Sequence, residues 1–178
     1  MTRVHKTFVS YHHANDQSYK NRLEVICENK IVSRSVQLGD IDDNTSTENI
    51  RRIIREDYLR DSTVTVVLIG KETWQRKHVD WEIAASLRHT DFSSRSGLVG
   101  IFLPSHPCYG KGSYNRYTIP PRLWDNIDCG FAKVYDWKDN GKLIQSWIHE
   151  AFENRNKVFP SNSRYLFRNN RSGEQWQD

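Results

Sequence analysis

Apolar residues recur along this chain with two different periods, and each change of period marks an element. Thr63-Val-Thr-Val-Val-Leu-Ile69 is an almost unbroken run of strand-forming residues that stops at Gly70. Such a run suits a strand covered on both faces. Arg76 to Leu87 follows, with Val79, Ile83 and Leu87 four residues apart, which predicts a helix with one apolar stripe. His78 and Glu82 are also four apart and share a different face of that helix. A strand, a loop and then a helix bring the helix start to the carboxyl edge of a sheet, where open α/β sheets bind ligands.

The remaining pattern repeats this alternation. Lys6 to Tyr11 reads as a strand, and His12 to Asp16 as the loop after it. Asp16 is expected to cap a helix spanning Ser18 to Glu28, with Tyr19, Leu23, Ile26 and Cys27 at helical spacing. Ile31 to Leu38 alternates as a strand, and Gly39 to Asn44 is a loop. Ser46 or Thr47 caps a helix through Leu59, with Ile50, Ile53, Ile54 and Tyr58 as its buried stripe. Gly97 to Leu103 is a buried strand ended by Pro104. Ser105 to Pro121 is rich in Gly, Tyr, Ser and Pro, and its length marks it as a mobile or functional loop. Phe131 to Tyr135 is a short strand, and Lys142 to Asn154 an amphipathic helix.

This order predicts an α/β three-layer sandwich around a parallel sheet of about five strands. A flavodoxin-like strand order, 2-1-3-4-5, opens a crevice between the first and third predicted strands. One domain over residues 1–155 is expected, and the polar extension 156–178 packs on it or trails from it.

Composition narrows the function. The 178 residues carry 26 Lys and Arg against 22 Asp and Glu, a net charge of +4 with the signs interspersed. That suits a solvated surface and a phosphate-bearing small ligand better than a nucleic-acid groove. Cys27, Cys108 and Cys129 are widely spaced with no Cys-x-x-Cys pair. Neither a disulfide framework nor a zinc site is indicated, and a reducing cytoplasm fits. No apolar run reaches membrane-spanning length, so a soluble cytoplasmic protein is expected. No Gly-x-Gly-x-x-Gly and no Gly-Lys-Ser/Thr occurs, which argues against a dinucleotide cofactor site of the Rossmann type and against a P-loop.

Candidate chemistry gathers at the predicted crevice. Glu82 is either a catalytic carboxylate there or a solvent-facing residue paired with Arg88 or His78. Ser10 can bond a ribose or phosphate, and Tyr11 or Phe8 can pack on a ring, although Phe8 reads equally as core. His12 can meet a phosphate; no partner at ligand spacing makes it or His13 a metal ligand. Gly39-Asp-Ile-Asp42 is either a lid or docking loop, with Ile41 projecting as a contact point, or an ordinary Asx turn. Arg164-Tyr-Leu-Phe-Arg168 interleaves cations with aromatics, and packing of this tail on the domain outweighs RNA contact.

In this order these motifs resemble a known family. Phe8-Val-Ser-Tyr11 resembles the first signature of TIR domains, and Gly39-Asp-Ile-Asp42 stands where their BB loop follows the second strand. Trp81-Glu-Ile83 resembles the helix that carries the catalytic glutamate of NAD-cleaving members. Pro120-Pro-Arg-Leu-Trp-Asp-Asn-Ile127 and Phe131-Ala-Lys-Val-Tyr-Asp-Trp137 bring the chain closest to the TIR-like family typified by the TIR protein of the bacterial Thoeris anti-phage system. The resemblance covers roughly residues 5–155. It implies Glu82 as the catalytic residue, and Phe8, Ser10, Tyr11, His12, Gly39, Asp40, Ile41, His78 and Trp81 as substrate-binding residues. NAD is the implied substrate rather than a cofactor, no metal is required, and a nucleotide product links the protein to a separate effector. Self-assembly through the BB-like loop is also implied. A non-enzymatic TIR-like interaction module is the alternative. That family often places an aromatic, commonly Trp, four residues before the glutamate. Here the position is His78, so Trp81 or Trp74 supplies the ring or His78 makes a different contact.

Overall fold

In the computed structural model of the chain, residues 4–28, 41–42 and 44–178 are described. Their four strands, β1 (Thr7–Ser10), β2 (Val64–Ile69), β3 (Gly97–Phe102) and β4 (Lys133–Asp136), form one parallel sheet in that spatial order. The predicted strand over residues 31–38 lies outside the described residues, so the described sheet has four strands against the expected five or so. Among the described residues five α-helices surround it: α1 (His13–Ile26), α2 (Thr47–Ile53), α3 (Lys77–Ser86), α4 (Pro121–Asp128) and α5 (Gly141–Asn154).

The alternation of side chains along β2 explains the layering. Val64, Val66 and Leu68 share a core with Leu23 of α1 and with Ile144, Ile148 and Ala151 of α5. Val67 and Ile69 face the opposite core, with Val79 and Ile83 of α3 and Leu123 of α4. Both faces of β2 are therefore covered, as its continuous apolar run demands. A third cluster joins Phe8 of β1 to Ile50 of α2 and to Trp81 and Ala85 of α3. Gly97 lets α5 lie directly against β3, since a Cβ there would stand 2.2 Å from the Ala151 carbonyl oxygen.

Three local expectations are revised. The first helix starts at His13, five residues before the predicted start, because a polar first turn carries no apolar signal. Asp16 is therefore not its cap; it lies inside the first turn and is buried. The helix capped by Ser46 runs regularly only to Ile53 and then widens. Leu59 N–H bonds Ile54 O at 3.0 Å, one residue beyond the α pattern. The widened turn carries Arg55, fully buried, to Ser96 Oγ at 3.1 Å and to the Ser94 carbonyl.

The stretch Ser105 to Pro121 is pinned at several points. His106 Nε2 pairs with Thr118 O at 3.1 Å, and Tyr109 O–H donates to Trp137 O at 3.1 Å. It runs directly into α4, which the sequence reading did not separate from the loop. Pro121 opens that helix at its first position, where the missing N–H costs nothing.

Candidate functional site

The site begins at the C-terminal end of β1. Phe8 and Ser10 point to the sheet face covered by α2 and α3, while Val9 and Tyr11 point to the face covered by α1 and α5. On α3, burial of Val79, Ile83 and Leu87 fixes the rotation of the helix. Each such side chain contributes roughly 1.5–3 kcal/mol when fully buried. Their combined burial outweighs the cost of carrying His78 and Glu82 inward on the neighbouring face. Glu82 is fully buried, and Ser10 Oγ–H donates to its Oε2. Two residues 72 positions apart are thus joined at the sheet edge. Phe8, Ile41 and Trp81 pack beside them in one apolar cluster.

The histidines gather at the end of β1. His78 is buried and its Nε2 meets Tyr11 O at 3.0 Å. Its ring stands 4.8 Å from that of His13, which stands 4.6 Å from that of Tyr11. Four residues before Glu82, His78 is thus one member of a line of rings. Burial pushes its pKa down to about 4, only partly opposed by the bond to Tyr11, so it is neutral at pH 7. Burial lowers the pKa values of His12 and His13 as well. His12 Nδ1 lies 3.9 Å from Glu72 Oε2, and Tyr11 O–H donates to Gln17. His12 Nδ1 and His13 Nε2 are buried atoms with no hydrogen-bond partner among the described residues. Among those residues no group of three or more His, Cys, Asp or Glu is placed to hold a metal ion.

Of the sequence-predicted residues, the structure brings together Ser10, Glu82, Phe8, Ile41 and Trp81. Tyr11 is turned to the opposite face of the sheet, and His78 reaches only its backbone carbonyl. Gly39 and Asp40 lie outside the described residues. Ile41 does not project: it is 8% exposed and packed with Phe8, Ile50, Ile54 and Trp81. The apolar side chain is better accommodated in that cluster than in water, which overturns its reading as an exposed contact point. Trp81 turns its indole N–H to Phe167 O at 2.8 Å, and Lys77 Nζ stands 5.1 Å from its ring centre. Trp74 is buried, and its indole N–H has no partner among the described residues.

Sequence reasoning missed two carboxylates around this frame. Asp16 packs against Gly70, where a Cβ would stand 2.4 Å from its Oδ2, and Thr73 Oγ1 lies 3.5 Å away. Burial raises its pKa to about 6. Gly70 ending the best-defined strand was the available signal, since a glycine there permits a close approach. Asp80 is buried on α3 and paired with Arg122 of α4. Arg122 Nη2 also donates to the carbonyls of Arg164 and Tyr165 at 2.8 and 3.1 Å, and Asp80 accepts the Phe167 N–H at 2.9 Å. Residues 164–167 are thereby fastened over α3 and α4.

The described residues form an α/β domain, a parallel sheet between helical layers, with a buried carboxylate on the helix after its second described strand. The model of the family described as Thoeris protein ThsB, TIR-like domain, matches residues 8–107, more than half of the chain, and the protein belongs to that family. No curated protein matches the chain. Among solved structures, it is similar to the TIR domains in the structure of the activated Roq1 resistosome directly recognizing the pathogen effector XopQ. That similarity is at 16% identity and a TM-score of 0.38, over 85% of this chain and 84% of the other. No helix among the described residues is long and apolar enough to cross a membrane.

Proposed function

We propose that this protein cleaves NAD in anti-phage defence, releases nicotinamide and converts the ADP-ribosyl group into a signalling nucleotide that acts on a separate effector. The observation that carries the reading is the Ser10–Glu82 pair at the sheet edge, in a chain of the ThsB family. In the reaction the bond between ribose C1′ and the nicotinamide nitrogen breaks, and its electron pair leaves with nicotinamide, which needs no proton. The ribose becomes oxocarbenium-like, as in glycoside hydrolysis. Glu82 as carboxylate stabilises that charge and orients the ribose hydroxyls. Ser10 fixes the rotamer of Glu82. An acceptor hydroxyl, from water or from the ADP-ribosyl group itself, then attacks C1′ and gives up its proton. NAD is the substrate, and the scheme uses no cofactor or metal.

Complete burial of Glu82 means that the chemistry requires the carboxylate to be uncovered first. This fits an enzyme that is quiet alone and active on assembly or after a trigger. The same burial favours a second reading, a non-enzymatic TIR-like module whose carboxylate is structural. Purified protein incubated with NAD over a wide range of protein concentration, with nicotinamide measured, separates the two. Release by the wild type that is lost in Glu82→Gln supports the enzyme. Equal release by both proteins overturns the role of Glu82, and self-association without release at any concentration supports the module.

A further inference from the structure

A cavity of about 770 Å3 lies between α2 and the C-terminal tail. It is lined by Thr45, Thr47 and Arg51 on one side, by Trp81 of α3, and by residues 162–168 on the other. Its volume is that of a small-molecule site. Among the described residues three arginines line it, Arg51, Arg164 and Arg168, and no carboxylate does. Arg164 is already held by Asp125 through bonds of 2.8 and 2.9 Å. Arg51 and Arg168 are different: neither has a hydrogen-bond or ion-pair partner among the described residues, and Arg51 Nε is buried without one. Glu48, the acid nearest to Arg51 in sequence, pairs with Arg88 instead. A half-buried guanidinium left without an acceptor is a costly arrangement unless an anion supplies one. Tyr165 stands at the rim with 94% of its surface exposed, and its ring has no stacking partner among the described residues.

We infer that this cavity is a ligand site separate from Glu82, and that it takes a nucleoside carrying a phosphate. Arg51 and Arg168 receive the phosphate oxygens, with the Thr45 and Thr47 hydroxyls beside them. Tyr165 stacks on the base. Glu82, Ser10 and His78 are not in the lining, so the site stands whether or not the chain cleaves NAD.

The test is calorimetric titration of the full chain with adenosine monophosphate, with adenosine and with inorganic phosphate. Adenosine monophosphate binds the wild type more tightly than either fragment does. Arg51→Ala with Arg168→Ala weakens that binding by about tenfold or more, the loss expected for charge-assisted hydrogen bonds. Tyr165→Ala weakens adenosine monophosphate and adenosine but leaves phosphate unchanged. Glu82→Gln binds all three as the wild type does. A thermal melt matching the wild type shows that each variant is folded; because Arg168 and Tyr165 are exposed, Arg168→Ala and Tyr165→Ala alone serve if the double variant is not. No binding of adenosine monophosphate to the wild type, equal binding by the arginine variants, or loss of binding in Glu82→Gln each overturns the inference.

Discussion

Arg122 closes on Asp80 with both arms of its guanidinium, Nε to Oδ1 at 2.9 Å and Nη2 to Oδ2 at 3.4 Å, and neither side chain reaches solvent. Removing one partner strands the other charge in the interior. Asp80→Asn or Arg122→Met alone is expected to cost about 3–5 kcal/mol in denaturant unfolding. Asp80→Asn combined with Arg122→Met should cost clearly less than the sum of the two, because no lone charge remains. Additive losses would show that the pair is not coupled.

Ile41 gives the sharpest contrast between a surface role and a core role. Packed against Phe8 and Trp81, it should tolerate Val at a cost of about 0.5–1.5 kcal/mol, whereas Asp at this position costs several. Chemical denaturation of the two variants checks this. An unchanged midpoint for Ile41→Asp would put the side chain in water.

Two buried groups act in opposite senses as pH falls. His78 has its pKa lowered to about 4 from 6.5, so the unfolded chain takes up its proton first and stability is lost between those values on acidification. His12 and His13, also lowered, add to that loss. Asp16 has its pKa raised to about 6 from 3.8, so its folded form takes the proton first and stability is regained between about 6 and 3.8. Asp16→Asn should therefore raise stability at pH 7 and make the acid loss steeper. His78→Gln, whose amide can still donate to Tyr11 O, should make it shallower. Melting temperatures from pH 7 to pH 4 measure both slopes, and parallel curves for all three proteins would exclude the assignment.

Gly70 has no room for a side chain. Gly70→Ala should lower the melting temperature through contact with Asp16, and adding Asp16→Ala should restore most of it. Equal melting of wild type and Gly70→Ala would mean that Asp16 moves aside without cost.

The elements that write themselves into the sequence are those with one dominant period. β2 is apolar along almost its whole length because both faces are covered, and α3 and α5 carry stripes four residues apart. The helix α4 hides behind Pro120 and Pro121, which read as loop until Pro is placed at a first helical position. Ser10 and Glu82 could be brought together from strand order alone, but neither the complete burial of Glu82 nor its bond to Ser10 has a local signature. Ile41 misled because a single apolar residue among aspartates carries no period, and only the fold shows which way it faces. Phe167 and Trp176 are buried in a segment with no repeat at all. They are positioned by hydrogen bonds to distant groups, Phe167 N–H to Asp80 and the Trp176 indole to Ile119 O at 2.7 Å, so no window of neighbouring residues can announce them.

The fastening of residues 164–167 to Asp80 and Arg122 also limits how parts can be exchanged between relatives. A hybrid that takes α3 from one parent and the tail from another must match a carboxylate, a guanidinium and two backbone carbonyls at once. Three stretches distant in sequence therefore behave as one unit of inheritance, and productive crossovers should fall outside the span from Asp80 to Phe167.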